Sequence, residues 1–289
     1  MSVCIGMPVY NDSAYIEESI ACLKRQSHTD FVCLINDDVS TDDTREVVRR
    51  CIDGDERFVF ICQEFNGGGL NNEATLTQLQ KTRFRRKYTF PFSGHDLVSD
   101  NYLEDAVVFL EKNPDYSIST GQMRSFEGVT ENARDMPEAS YEFFQTTGLL
   151  AFINSAFQLV NCTVYNSVRR SDFLFEKDVF PIWEPMRGAD HLIISWMASY
   201  GRINVSRQSA YLRRMFPAEV DCRPDMSARL MGVSCVEPPS QDLLSRAMVN
   251  HYLRIFRIRF AETMSAEESG RFEQLIFDSL YRRFLFNLD

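Results

Sequence analysis

Val3-Cys4-Ile5-Gly6-Met7-Pro8-Val9-Tyr10-Asn11 and Leu34-Ile35-Asn36-Asp37-Asp38-Val39-Ser40-Thr41-Asp42 share one construction. Each is a short apolar run that stops abruptly in turn-forming, hydrogen-bonding residues, and each precedes a helical pattern. Apolar runs bounded by turns and alternating with helices predict parallel strands with polar groups at their carboxyl ends. Open α/β sheets bind ligands along that edge. The expected fold class is α/β: a Rossmann-like, mostly parallel sheet flanked by helices.

Outward from these stretches the alternation continues. Strand one is read over residues 3–7, and its helix over 13–25 carries Ile16, Ile20 and Leu23 at helical spacing. A second strand spans 31–35. Ser40 or Thr41 is placed to cap the next helix, with Asp42 and Asp43 in its first turn and Arg49 and Arg50 at its end. A third strand over 57–62 closes in Asn66-Gly67-Gly68-Gly69, then come a helix over 72–82 and a strand over 88–92. A helix over 100–112 stops at Asn113-Pro114, and a short strand follows over 117–120. Right-handed crossovers between parallel strands are the economical topology.

Beyond, 127–139 reads as a surface loop, 141–158 as mainly helical, 164–171 as a strand and 191–200 as a helix closed by Gly201. Ile203 to Val205 reads as a short strand. Pro224, Pro238 and Pro239 punctuate an extended segment, and from Gln241 the chain is helical. Two parts are expected, 1–217 and a mainly helical extension over 218–289.

The composition of the 289 residues, 44% hydrophobic and 25% charged, is that of a soluble globular protein. A net charge of -10 argues against a nucleic-acid binder, whose footprint should be basic. No apolar run reaches the roughly 18 residues needed to span a bilayer, and no signal peptide is read. The eight cysteines, Cys4, Cys33 and Cys62 among them, show no Cys-x-x-Cys pair. They are expected to be reduced, buried and not zinc ligands, in a cytoplasmic protein or one peripheral at the inner face of the membrane.

Asp37 and Asp38 end an apolar strand, where carboxylates can accept from ribose hydroxyls or ring nitrogens, or simply solvate a loop. Pro8, Tyr10 and Asn11 end the neighbouring strand, where Tyr10 is placed to shape a pocket or is simply a half-buried aromatic. The glycine run after Asn66 permits close backbone approach or makes a flexible turn. Asp190 precedes an apolar helix as an acid over the sheet edge or as an N-cap. Arg213 and Arg214 are candidates to neutralise a diphosphate. Arg83, Arg85, Arg86 and Lys87 read as a solvated helix end.

These motifs resemble the nucleotide-binding half of family 2 glycosyltransferases, whose opening pairs Pro-x-Tyr-Asn with Asp-Asp-x-Ser-Thr-Asp; the resemblance covers roughly residues 2 to 215. It implies a GT-A type fold and an inverting transfer from a nucleoside-diphosphate sugar to a glycan or lipid-linked acceptor hydroxyl in polysaccharide or glycan biosynthesis. It carries base contact to Asp38, Asn-x-Gly and the following Asn to Asn66 and Asn71, and the general base to Asp190. The family's acidic metal motif becomes Ser93-Gly94-His95-Asp96, so a divalent cation (Mn²⁺ or Mg²⁺) is expected at Asp96 with His95 as a second candidate. Residues 127–170 would form the acceptor side. The C-terminal helices, mixing Arg254, Arg257 and Arg259 with Ile255, Phe256, Ile258 and Phe260, are candidates for core packing, a homodimer or a membrane-surface contact. The rival readings are a catalytically silent nucleotide-sugar binder, favoured by the acids lost at 93 and 95, and a sugar-nucleotide-forming nucleotidyltransferase. An oxidoreductase is disfavoured because no Gly-x-Gly-x-x-Gly follows the first strand.

Overall fold

The computed structural model describes residues 2–136, 145–158, 164–175, 189–216 and 241–286. The opening follows the pattern read from the sequence: β1 (Val3–Val9), α1 (Ile16–Lys24), β2 (Phe31–Asp37), α2 (Thr44–Ile52), β3 (Phe58–Cys62), α3 (Gly69–Thr82) and β4 (Tyr88–Pro91). Strands β1 and β2 read as continuous apolar runs because helices cover both of their faces. Val3, Ile5 and Ile35 pack among Ile16, Ile20 and Leu23 of α1, while Cys4 and Leu34 meet Leu76 of α3 on the other face.

β5 (Leu97–Val98), α4 (Tyr102–Lys112), β6 (Tyr116–Phe126) and β7 (Arg134–Asp135) follow, then α5 (Gly148–Gln158), β8 (Val168–Arg170), α6 (Ser171–Leu174), α7 (Ala189–Tyr200) and β9 (Arg202–Arg214). The sheet order is β3-β2-β1-β4-β8-β6-β9-β5, with β7 on β6. β1 pairs in parallel with both β2 and β4, β2 with β3, and β6 with β9; β8 and β5 run against their neighbours. The sheet is therefore mostly parallel, as expected. The chain moves from β1 outward to β2 and β3, then returns across to β4. That reversal opens a crevice at the carboxyl ends of β1 and β4.

Several boundaries differ from the reading. Neither Ser40 nor Thr41 caps α2; both are bonded to Asn11, and α2 begins at Thr44 after Asp43. The 127–139 stretch is not wholly a loop, since Thr130–Asn132 forms a 3₁₀ turn and Arg134–Asp135 pairs with β6. The short strand read at Ile203 to Val205 is the start of a 13-residue strand. Its polar stretch Ser206 to Ser209 hid the continuation. There the register with β6 slips between Gly121 and Gln122, leaving extra residues on β9. A Cβ on Gly121 would lie 2.7 Å from the backbone of Ser209, so only glycine lets the bulge approach. Gly121→Ala is expected to destabilise the protein by ~1–3 kcal/mol, read by urea unfolding; wild-type stability would contradict that close approach.

α8 (Gln241–Phe260) and α9 (Ala266–Phe286) complete the chain. Ile255, Phe256 and Phe260 are buried with Phe152 of α5 and Trp196 and Met197 of α7 in one cluster that also takes Ile276 and Leu280 from α9. The apolar residues of the basic-aromatic mixture thus pack on the rest of the molecule, with Ile258 exposed. No helix among the described residues is long and apolar enough to cross a membrane. Cys4, Cys22 and Cys33 are buried, as expected, with burial pushing the Cys4 thiol up to about 12; Cys62 is exposed instead.

Candidate active site

The ends of β1 and β2 are stitched together by side chains. Asn11 takes a positive φ of 54°, donates its N–H to Ser40 Oγ at 3.0 Å and accepts from Thr41 N–H at 2.8 Å. Val39 has a φ of 62°, an outlier for a β-branched residue. Such strain costs on the order of 1–3 kcal/mol and clusters at ligand sites. Asp37 is fully buried and accepts from Ser40 N–H and from Arg45 Nε at 2.5 Å. Pro8 is half-buried within β1 opposite Asn36, and Tyr10 stands exposed beside it at 45%.

Asp38 joins the two features that the sequence presented separately. Its carboxylate accepts from Gly67 N–H and Gly68 N–H, each at 2.8 Å, and its carbonyl accepts from Asn66 Nδ2 at 2.9 Å. Asn71 Nδ2 closes the turn onto Gly67 O at 2.6 Å. Gly68 sits at φ 82°, a conformation glycine adopts freely. The glycine turn is thus a clamped loop leading directly into α3, which starts at Gly69 rather than Asn72.

At the end of β4, Gly94 lies so close to β1 that a Cβ would come within 2.6 Å of Val9 and 3.1 Å of Asp12. This brings His95 to Asp12, a residue the sequence reading missed. Asp12 accepts from His95 Nδ1 at 3.1 Å and from Tyr10 N–H at 3.1 Å, and its own N–H donates to Thr44 Oγ1 at 2.8 Å. Its place one residue beyond Asn11 was the available signal.

Asp96 points the other way. It is 2% exposed, and its two oxygens accept from Tyr211 Oη and Arg214 N–H, both at 2.8 Å. Burial and the Asp96 charge hold the Tyr211 hydroxyl well above its usual range. Arg214 is 7% exposed: its guanidinium donates to His95 O at 2.9 Å, Gly128 O at 3.3 Å and Glu18 Oε2 at 2.6 Å. It also lies between the rings of Tyr15 and Phe126. Arg214 is therefore a bolt inside the fold, not the diphosphate cation expected of it, while Arg213 beside it is half-buried.

A divalent cation fits these residues poorly. Asp96 spends both oxygens within the fold, Ser93 is neutral, and no group of three His, Cys, Asp or Glu converges among the described residues. A histidine braced by a carboxylate at Nδ1 has the orientation of a metal-ligating imidazole, but one nitrogen does not make a site.

A second polar cluster lies on α3, one turn past the glycine loop. Glu73 Oε2 accepts from Tyr165 Oη at 3.0 Å. Arg169 of β8 is buried, stacks on the Tyr165 ring at 4.4 Å and donates to the Tyr165 carbonyl. Among the described residues its Nε has no hydrogen-bond partner. Arg170, next along the strand, points to the opposite face and donates to Tyr116 O at 2.7 Å. Asp190 completes the cluster electrostatically: desolvation and the Asp190 charge raise the Glu73 carboxyl to about 7, against the opposing effects of Tyr165 and Arg169. Asp190 is the second residue of α7, inside its first turn rather than at its cap, and half-buried. The sequence signal for Glu73 was its being the sole acid in α3.

A family model of glycosyl transferase family 2 matches residues 4–172, more than half of the chain. The chain belongs to glycosyl transferase family 2. This family 2 member is 24% identical over 217 residues to the poly(ribitol-phosphate) beta-N-acetylglucosaminyltransferase TarS of Staphylococcus aureus (strain MW2), covering 73% of this chain and 35% of TarS. It is 36% identical over 133 residues to the putative teichuronic acid biosynthesis glycosyltransferase TuaG of Bacillus subtilis (strain 168), covering 46% of this chain and 48% of TuaG. The chain thus spans less than half the length of these curated relatives. Its fold superposes on S. aureus TarS 1-349 in complex with UDP-GlcNAc with a TM-score of 0.69 at 19% identity, covering 99% of this chain and 73% of that one. It also resembles the mannosyltransferase PcManGT of Pyrobaculum calidifontis in complex with GDP-Man and Mn2+, at a TM-score of 0.52 and 12% identity over 99% of this chain and 88% of that one. The fold is of the GT-A type.

Proposed function

We propose that this chain is a glycosyltransferase that moves a sugar from a nucleoside-diphosphate sugar to an acceptor hydroxyl, with inversion at the anomeric carbon, during glycan assembly. The observation that carries the reading is the clamped pair of loops: Asp38 holding Gly67 and Gly68, and Asn11 holding Thr41, around a strained Val39. Family membership and the likeness to TarS and TuaG support the same reading. The base and ribose of the donor would lie against Pro8 and Tyr10 at the strand ends, over the loops that Asp37, Asp38, Asn66 and Asn71 hold in place.

In the reaction, Asp190 accepts the proton of the acceptor hydroxyl. The hydroxyl oxygen forms its bond to the anomeric carbon from the face opposite the diphosphate. The bond from that carbon to the diphosphate breaks, and its electron pair leaves with the nucleoside diphosphate. His95 and Arg213 are the cationic or hydrogen-bonding candidates nearest the leaving group; Arg214 braces their backbone. No step runs through a metal ion. The acceptor is proposed to be a glycan or lipid-linked polymer; the name of TarS prints poly(ribitol-phosphate) and that of TuaG teichuronic acid biosynthesis. The extension is proposed to be integral to the molecule, since over its described residues, 241–286, α8 and α9 share the core of α5 and α7.

The test is turnover of UDP-, GDP-, dTDP- and CMP-sugars, with and without polymer acceptors, in EDTA, Mg²⁺ or Mn²⁺. Release of nucleoside diphosphate from one donor is the expected result. Binding with no turnover of any donor would favour a silent binder, the reading suggested by Ser93 and His95. Pyrophosphate released from a nucleoside triphosphate and a sugar phosphate would instead make the chain a nucleotidyltransferase.

A further inference from the structure

Residues 81–87, Lys-Thr-Arg-Phe-Arg-Arg-Lys, carry five basic side chains and no acid in a chain whose net charge is -10. α3 ends at Thr82, and the segment then turns into β4: the N–H groups of Arg83 and Phe84 both donate to Leu79 O, and Lys87 O accepts from Ser171 N–H. Tyr88, the first residue of β4, pairs with Val3, the first of β1. The turn therefore stands at the amino ends of these parallel strands, on the edge of the sheet opposite the crevice. Its one aromatic residue faces inward: Phe84 is half-buried and packs with Cys4, Leu34 and Leu76. Arg83, Arg85, Arg86 and Lys87 are exposed. Elsewhere on the surface, arginines such as Arg25, Arg50 and Arg257 each meet a carboxylate, of Asp100, Glu17 and Glu273 in turn. In the turn only Lys87 has one, from Glu111, which Tyr88 Oη also occupies. Arg85 lies over the Phe175 ring at 5.5 Å, and Arg86 donates to Arg85 O. Among the described residues, Arg83, Arg85 and Arg86 make no ion pair.

We propose that this turn is a docking surface for the anionic headgroups of a phospholipid bilayer. A cluster of basic side chains held on one exposed turn is drawn to such a surface, each charge adding to the attraction. The arrangement fits a charged plane rather than one small anion, because Arg85, Arg86 and Lys87 turn to three different partners instead of converging on a point. A nucleic acid is disfavoured, since Phe84 is turned inward and the turn offers no aromatic face on which a base could stack. The acidity of the whole chain does not oppose the contact. Charges beyond a Debye length of about 8 Å are largely screened at physiological ionic strength, and Glu111 and Asp172, the acids acting on Tyr88 beside the turn, are outnumbered by its bases. Docked in this way, the molecule turns its crevice away from the bilayer. The inference stands apart from the transferase reading and does not need it.

The experiment is sedimentation of the full chain with vesicles of phosphatidylglycerol mixed with phosphatidylcholine, and with vesicles of phosphatidylcholine alone. Binding is expected to the anionic vesicles at low salt, not to the neutral ones, and is expected to be lost at high salt as the charges are screened. The double variant Arg83→Gln/Arg86→Gln should bind about 25-fold more weakly, about fivefold for each charge removed. Its Tm should match wild type, because neither guanidinium bonds to another element. Arg254→Gln, which removes an exposed charge from α8, should bind as wild type does. No binding to anionic vesicles, equal binding to neutral ones, or binding that the double variant leaves undiminished overturns the proposal. Loss of binding in Arg254→Gln overturns it as well, by moving the contact to the C-terminal helices. Retention of single-stranded RNA without retention of vesicles, abolished in the double variant, would make the turn a nucleic-acid contact instead.

Discussion

Asp190→Asn is expected to lower kcat for sugar transfer by about 10²–10⁴-fold while leaving donor affinity within about twofold of wild type, because the amide cannot accept the acceptor's proton. The separation follows from where the residue stands. Asp190 is on α7, while the loops proposed to hold the nucleotide are knitted by Asn11, Asp38 and the glycine turn on other elements. Substitution at one place should not disturb the other. Loss of kcat with unchanged binding of nucleoside diphosphate, by single-turnover kinetics and calorimetry, is the outcome sought. A fall in donor affinity with kcat preserved would place Asp190 in donor binding and remove it as base. Retention of both would return the residue to a purely structural part in the first turn of its helix, where an acid is favoured by the helix dipole.

The second large effect is expected on stability. Asp96→Asn replaces one carboxylate oxygen by an NH₂ group facing the Tyr211 hydroxyl or the Arg214 N–H, both now 2.8 Å from an acceptor. A buried group left without its partner costs roughly 2–4 kcal/mol, the upper part of that range because a charge is involved. For a chain of 289 residues that corresponds to a fall of ~3–7 °C in Tm. The consequence reaches further than the pair, since Arg214 also holds His95 O and Glu18. EDTA should have no effect on the Tm of the wild type if the buried carboxylate is a brace. A variant with wild-type Tm that has lost a Mg²⁺- or Mn²⁺-dependent gain in ligand affinity would instead make Asp96 a metal ligand.

The difference between these two aspartates shows what could and could not be read from residue order. The first four strands and their helices were legible because each is a local pattern, a buried apolar run followed by an amphipathic stripe, and the register of β1 with β2 places Pro8 through Asn11 beside Asp37 and Asp38 without further information. The joining of Asp38 to the glycine turn was not legible, though both halves were seen. It depends on two backbone N–H groups directed at a carboxylate 29 and 30 residues away. Asp96 is expected as a metal ligand on the family resemblance, and Arg214 as a diphosphate cation from its place after a short strand. Their partners, Tyr211 for one and Glu18 for the other, lie 115 and 196 residues distant, and nothing local announces them. The long strand β9 was missed for a related reason. A polar bulge in mid-strand has no apolar alternation, and its fit against Gly121 is a tertiary fact.

Glu73 and Asp12 were overlooked because each is a single acid just beyond a motif asparagine, Asn71 for one and Asn11 for the other, with nothing local to show its partner. Only folding gives them neighbours: His95 for Asp12, and Tyr165, Arg169 and Asp190 for Glu73. In both cases a carboxylate holds another ionisable side chain in place.

The central claim is that the loops at the ends of β1 and β2 bind a nucleoside diphosphate. Calorimetric titration of the full chain with UDP, GDP, dTDP and CDP, in EDTA and in Mg²⁺, measures it directly, with Asp38→Ala as the control. The expected result is saturable binding of one of them, weakened at least tenfold, or ~1.4 kcal/mol, when the clamp on Gly67 and Gly68 is removed. No binding of any nucleotide under either condition, or binding that Asp38→Ala leaves unchanged, would contradict the assignment of the donor site.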